Sequence, residues 1–154
     1  MYNQKSKDLL VKKLESEDFN RITCSFYKYV TIVDPIAFRD KIYEEFDNLE
    51  ILGRVYIAEE GMNAQISVPD KNWGLFLKLI SSVKLLYDID IKTAINDGIS
   101  FYKLIVKVKK EIVAYNIPKN KFNMDVVGEH LNTKQFNEAM ENTNTTVIDM
   151  RNIY

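Results

Sequence analysis

The sequence has little of what cross-links a chain. Cys24 is the one cysteine in 154 residues, so no disulfide can close within the chain. That usage fits a reducing compartment and predicts a cytoplasmic protein. His130 is the one histidine. A single cysteine and a single histidine cannot build a zinc-type cluster, and the carboxylates show no metal-ligand spacing. No apolar run approaches the roughly 20 residues that a membrane-spanning helix needs, so no membrane partner is expected. The first residues are polar and lead into a charged helix, which does not read as a signal peptide. There is no repeat and no low-complexity tract. Neither sign of charge is in excess: 21 basic residues face 22 acidic ones, a net charge of −1. That total names no partner, because a basic face can sit inside a neutral sum.

What is present is an ordinary globular balance of 46% hydrophobic and 28% charged residues, enough to bury a core. The length holds one domain and a fragment, or one larger domain. Ser6 can cap a helix over 7–17 that carries Leu9, Leu10 and Leu14 on one side. Residues 22–30 are β-branched and aromatic and read as a strand. Asp34-Pro35 starts a helix with Phe38, Ile42, Phe46 and Leu49 at helical spacing. Strands follow over 52–58 and 63–68, joined by a turn in which Gly61 can take a positive φ. Residues 73–83 form an amphipathic helix with Phe76, Leu79, Ile80 and Val83 inward. A short strand over 89–94 and a longer extended stretch over 101–115 complete the series.

Strand, helix, strand, strand, helix, strand is the split βαβ order of a ferredoxin-like α+β domain: a sheet with two helices on one face. Side-chain alternation then sorts residues between the two faces. Cys24, Phe26, Val55, Ile57, Ala64, Ile66, Leu104, Val106 and Val108 fall under the helices. The opposite face receives Ser25, Tyr27, Tyr29, Arg54, Tyr56, Asn63, Gln65, Lys103, Lys107 and Lys109. The texture changes after Tyr115. The pattern divides the chain into a helical extension (1–20), the ferredoxin-like domain (21–115), a linker (116–127) and a new unit (128–154). In that unit Thr133 caps a helix through Met140, and 145–149 reads as a buried parallel-type strand. Twenty-odd residues cannot enclose a core, since pieces below about 40 residues rarely fold unaided.

Cations, tyrosines and amides mixed on one sheet face suit single-stranded RNA, by phosphate attraction and ring stacking. The same residues also suit a solvated face, or one docked on another domain. Glu59-Glu60-Gly61-Met62-Asn63 is either a ligand-binding hairpin tip or a plain turn. Cys24 is a nucleophile or a small buried hydrophobe, and its mid-strand place on the core face favours the second. His130 reads as a local hydrogen-bonding residue. Asp149 and Arg151 close the last strand, where ligands gather in open α/β sheets, or they form a structural ion pair. Phe38-Arg39 resembles the phenylalanine-arginine of an acylphosphatase phosphate loop. The preceding residues 29–34 contain no glycine to wrap an anion, which argues against that activity.

Several stretches together resemble one family. They are Ser25-Phe26-Tyr27-Lys28-Tyr29-Val30, Phe38-Arg39-Asp40, Leu52-Gly53-Arg54-Val55-Tyr56-Ile57-Ala58 and Glu60-Gly61-Met62-Asn63-Ala64-Gln65-Ile66-Ser67-Val68-Pro69. With them go Ser100-Phe101-Tyr102-Lys103-Leu104, Val106-Lys107-Val108-Lys109, Gly128-Glu129-His130-Leu131-Asn132 and Val147-Ile148-Asp149-Met150-Arg151-Asn152. The set resembles the rhodanese-related tRNA uridine hydroxylases across nearly the whole chain. The resemblance implies an acylphosphatase-like N-terminal domain, then a rhodanese domain whose loop cysteine would lie beyond Tyr154. It implies tRNA as partner and molecular oxygen as co-substrate, with 5-hydroxyuridine formed at the wobble position. It assigns no cofactor to any residue here. Asp149 and Arg151 match the family's Asp-x-Arg strand end, while Cys24 does not match the loop cysteine. The expectation is the tRNA-holding N-terminal part of such a hydroxylase, without turnover alone. A rhodanese-like sulfurtransferase fragment and a non-catalytic interaction module are the alternatives.

Overall fold

The computed structural model describes residues 6–94, 100–113, 121, 126 and 128–149. The chain divides into two compact units, Met1–Pro118 and Lys119–Tyr154, each described by itself. The first holds α1 (Lys7–Glu15), β1 (Arg21–Tyr29), α2 (Pro35–Asn48), β2 (Leu52–Ala58), β3 (Gly61–Pro69), α3 (Trp73–Ser82), β4 (Lys92–Thr93) and β5 (Leu104–Val108). The second holds α4 (Thr133–Glu141).

Local chemistry accounts for where these elements start. The Ile36 and Ala37 N–H groups both donate to Asp34 Oδ1 at 3.0 Å, and Pro35 occupies the first turn of α2, where its missing N–H costs nothing. The β2–β3 hairpin turns at Glu59-Glu60. Gly61, which opens β3, has φ +148°, and a Cβ there would stand 2.0 Å from the Lys28 carbonyl oxygen. Only glycine fits so close an approach.

The five strands run in the order β4-β1-β3-β2-β5. β1 with β3, β2 with β3 and β1 with β4 are antiparallel, whereas β2 with β5 is parallel. β3 therefore lies between β1 and β2, which run the same way with α2 as their crossover. This is the ferredoxin-like α+β arrangement, with β5 added as a parallel edge. Phe46, Phe76, Ile42, Ile57, Met62 and Ile66 are wholly buried between sheet and helices. Each such side chain contributes about 1.5–3 kcal/mol on leaving water. Phe76 sits at the centre, 6.1 Å from Phe26 and 6.0 Å from Phe46 between ring centroids.

Four expectations need correction. The strand read over 89–94 shrinks to Lys92–Thr93, because it pairs only with Cys24 and Ser25 while Ile89 and Ile91 turn onto the core. The extended stretch read over 101–115 is a strand only at Leu104–Val108. Its partner β2 offers rungs only from Gly53, which donates to the Lys103 carbonyl, to Ile57, which accepts from Lys109 N–H. Tyr115 lies outside the described residues. In the second unit the helix is capped by Asn132 rather than Thr133. Gln135 N–H donates to Asn132 Oδ1 at 3.0 Å, and Asn132 N–H donates to Gln135 Oε1 at 2.9 Å. Residues 145–149 form no strand, and Val147 and Ile148 are exposed. A parallel strand is held by rungs to its neighbours, and no other strand is described in that unit.

Candidate functional site: the sheet face away from the helices

The register sets the candidate residues in rows. Tyr27 lies opposite Asn63, Asn63 opposite Tyr56, and Tyr56 beside Lys107. The neighbouring row is Lys92, Ser25, Gln65, Arg54 and Ile105. Directly paired residues point to the same side of a sheet. These rows therefore share the face opposite Cys24, Phe26, Val55, Ala64 and Ile66, which are all buried beneath the helices. Tyr27 is 66% exposed and meets Tyr29 edge-on at 6.3 Å. Arg54, Gln65, Lys107 and Lys109 are exposed, while Tyr56 and Asn63 are half-buried. Lys109 stands over the Tyr56 ring, 5.3 Å from its centroid. Tyr29 has its phenol pKa raised, first by burial and then by the charge of Glu60 and by Tyr27. Lys103 stands apart: it precedes β5, six residues or about 20 Å of extended chain from Lys109, and its ammonium lies 5.9 Å from the Tyr102 ring.

Sequence reasoning missed that one end of this face is covered. Thr23, Ser67 and Leu52 form its next row, yet Ser67 is only 2% exposed. α1 buries Leu10 and Leu14 outside the main core, and Lys7 at its start reaches the Tyr102 ring at 5.8 Å. Arg21 fastens the same end. It donates to the Glu17 carboxylate at 2.6 and 2.8 Å, and to the carbonyls of Glu50 (2.9 Å) and Ser67 (3.2 Å). The signal was the apolar stripe of the first helix, which needed a surface that α2 and α3 had left uncovered. Lys92, also on the face, is held by Asp90 at 2.6 Å, and the hydrogen bond to that carboxylate raises its pKa.

The remaining candidates separate clearly. In the loop before α2, Val30 and Ile32 N–H donate to the carbonyls of Glu60 and Glu59 at 3.0 and 2.8 Å. Asp34 takes the Ile36 and Ala37 N–H groups. Four backbone donors that could cradle a phosphate are thus committed. The Glu59-Glu60 turn is structural, since Glu60 Oε1 also accepts Ile112 N–H at 2.8 Å. Cys24 is buried, and burial pushes its thiol up to about 12, so the thiolate needed for nucleophilic work is absent at neutral pH. In the second unit His130 and Asp149 are exposed, and Arg151 lies outside the described residues. Among the described residues no group of three or more histidine, cysteine, aspartate or glutamate side chains could hold a metal ion. No helix there is long and apolar enough to cross a membrane.

The fold defines an acylphosphatase-like α+β domain in which the backbone donors before and at the start of α2 are taken by the Glu59 and Glu60 carbonyls and the Asp34 carboxylate. Residues 21–112 match the model of the UPF0176 acylphosphatase like domain, and the chain belongs to that family. Over its whole length it is 43% identical to the tRNA uridine(34) hydroxylase of Leptospira interrogans, of which it covers 42%. It is 41% identical to the protein of the same name in Buchnera aphidicola, covering 50%, and 40% identical to that in Photorhabdus laumondii, covering 44%. The chain thus spans about half the length of these curated relatives. Among solved structures, the dark state of the BLUF protein BlrB superposes over 57% of this chain and 73% of its own, with a TM-score of 0.43 and 18% identity.

Proposed function

We propose that this chain is the RNA-holding part of a tRNA uridine(34) hydroxylase, and that the sheet face away from α2 and α3 is its RNA surface. The observation that carries the reading is the likeness of this whole chain to about half the length of proteins of that name, at 40–43% identity. The face supplies the means. Exposed Tyr27 and half-buried Tyr56 offer rings for base stacking, Asn63 and Gln65 offer amide donors and acceptors, and Arg54, Lys107 and Lys109 offer charge for phosphates. In the whole protein a rhodanese domain following this part supplies the chemistry. Molecular oxygen is consumed and the wobble uridine of a tRNA becomes 5-hydroxyuridine. The Asp149 and Arg151 signature belongs to that second domain, where the stretch 145–149 gains the strand pairing it needs. Cys24 takes no part, because its thiol is buried and protonated.

The test is tRNA binding by this chain with Lys103, Lys107 and Lys109 all changed to glutamate. Affinity is expected to fall at least about tenfold, with a visibly shallower dependence on salt, because each lost phosphate contact removes close to one unit of slope. Equal, salt-insensitive binding by both forms would remove this face from the reading.

A further inference from the structure

The sheet face away from α2 and α3 is closed at both ends. At one end Ser67 is buried and Arg21 donates to its carbonyl. At the other end Tyr29, Gly61 and Ala58 form the last row, and Gly61 and Ala58 are buried although α2 and α3 lie on the opposite side. The chain leaving β5 crosses there. Lys109 N–H donates to the Ile57 carbonyl and Ile112 N–H to Glu60 Oε1, both at 2.8 Å, and Ile112 is buried outside the main core. Two rows stay open between these ends, one running from Tyr27 to Lys107 and one from Lys92 to Ile105. Such rows lie about 7 Å apart along the strands, whereas five strands span about 19 Å. The open band is therefore longer across the strands than along them.

Within the band one amide stands between two rings. Asn63 is paired with Tyr27 on one side and Tyr56 on the other, about 5 Å away in each case between Cβ atoms. Lys109 stands over Tyr56, which leaves Tyr27 as the open ring, with Tyr29 edge-on to it. Among the described residues no hydrogen bond or ion pair engages the side chains of Asn63, Arg54 or Lys107. An asparagine amide offers an acceptor and two donors side by side. Uracil presents a ring N–H between two carbonyls, so N3–H donates to Oδ1 while Nδ2–H donates to O4. Cytosine carries an amino group in place of that carbonyl. The unengaged charges of Arg54 and Lys107 favour the edge with two carbonyls over the edge with an amino group.

We propose that Asn63 is a base-reading residue. A single strand of RNA crosses the sheet from β1 toward β5 and lays one uracil on Tyr27. The edge of that base pairs with the Asn63 amide, and Arg54 and Lys107 take the neighbouring phosphates. The inference rests on the RNA reading above and deepens it. Because that reading places the chemistry in the following domain, the base held here is a neighbour of the reacting uridine.

The experiment measures binding of tetrauridylate and tetracytidylate by the full chain, followed by nuclear magnetic resonance. The parent should favour tetrauridylate about fivefold, with the Asn63 Nδ2–H signals shifted by it. Asn63→Asp, which can only accept, should turn the preference toward cytosine, whose amino group donates. Gln65→Glu adds the same charge in the neighbouring row, which has no ring. It should weaken both tetranucleotides alike and keep the preference. Equal loss of preference in the two variants would overturn the proposal, since the effect would then be the general field. Binding of both tetranucleotides with equal affinity by the parent would overturn it while leaving the RNA reading intact. So would tRNA binding with no shift from either tetranucleotide. The path across the strands is checked in the same spectra, where Leu14 and Ile112 methyl signals should stay in place. Shifts there as large as those of Tyr27 would overturn it. Should neither tRNA nor a tetranucleotide bind, the RNA reading itself falls.

Discussion

Cys24 shows how one residue's place decides its chemistry. It is β-sheet core, in one buried cluster with Phe26, and burial raises its thiol from an ordinary 9.0 to about 12. The sign follows from linkage. Below pH 9 the thiol is protonated whether folded or not, so its preference for the folded state is fully present. Between about 9 and 12 the unfolded chain releases the proton and the folded chain keeps it, so stability falls as pH rises. Denaturant unfolding of the parent and Cys24→Ala should therefore diverge, the parent losing more stability from about pH 8 to pH 11. At neutral pH, iodoacetamide should label Cys24 only once denaturant is added. Rapid labelling of the folded chain would contradict the burial. This residue was legible from alternation alone, since it falls in phase with Phe26. Ser67 was not. Alternation carried on from Asn63 and Gln65 points it to the open face, yet it is buried there, which strand parity does not encode.

At the scale of elements, the boundaries that carry their own chemistry were readable and those set by a neighbour were not. β2 begins and ends at the expected Leu52 and Ala58, and α2 begins after its Asp34 cap. β4 and β5 are shorter than their sequences suggested, because a strand ends where its partner stops offering rungs. Residues 145–149 have the composition of a parallel strand, and no other strand is described in their unit. The candidate face follows the same division: its tyrosines, amides and lysines were found by counting in twos, whereas the Arg21 hydrogen bonds to the Glu50 and Ser67 carbonyls at its end join residues distant in sequence, and no spacing reveals them. Two substitutions probe the self-determined boundaries. Asp34→Ala should lower stability by about 1 kcal/mol through loss of the cap. Gly61→Ala, with φ +148° and a carbonyl oxygen 2.0 Å from the new methyl, should cost about 3 kcal/mol. Both are read from the urea midpoint, and a Gly61→Ala chain as stable as the parent would refute the tight approach to Lys28.

For the whole molecule, every residue of the main core lies between Cys24 and Val106, inside the first unit. In the second unit Leu131, Phe136 and Met140 are exposed, and α4 has no buried residue. A chain ending at Pro118 should thus keep the near-ultraviolet circular dichroism of the parent, with a melting temperature within about 3 °C, since removing exposed surface changes stability little. A collapse of the spectrum would assign the second unit a structural role. The arrangement of strands has a further consequence. An uncovered sheet border is a template on which other chains can stack. Here one border is only two residues long, and the other is flanked by Lys103, Lys107, Lys109 and Lys110. One rim is too brief to grip a stray strand and the other repels its own kind, so the same lysines proposed to meet phosphate also keep crowded copies of the chain from knitting into fibres.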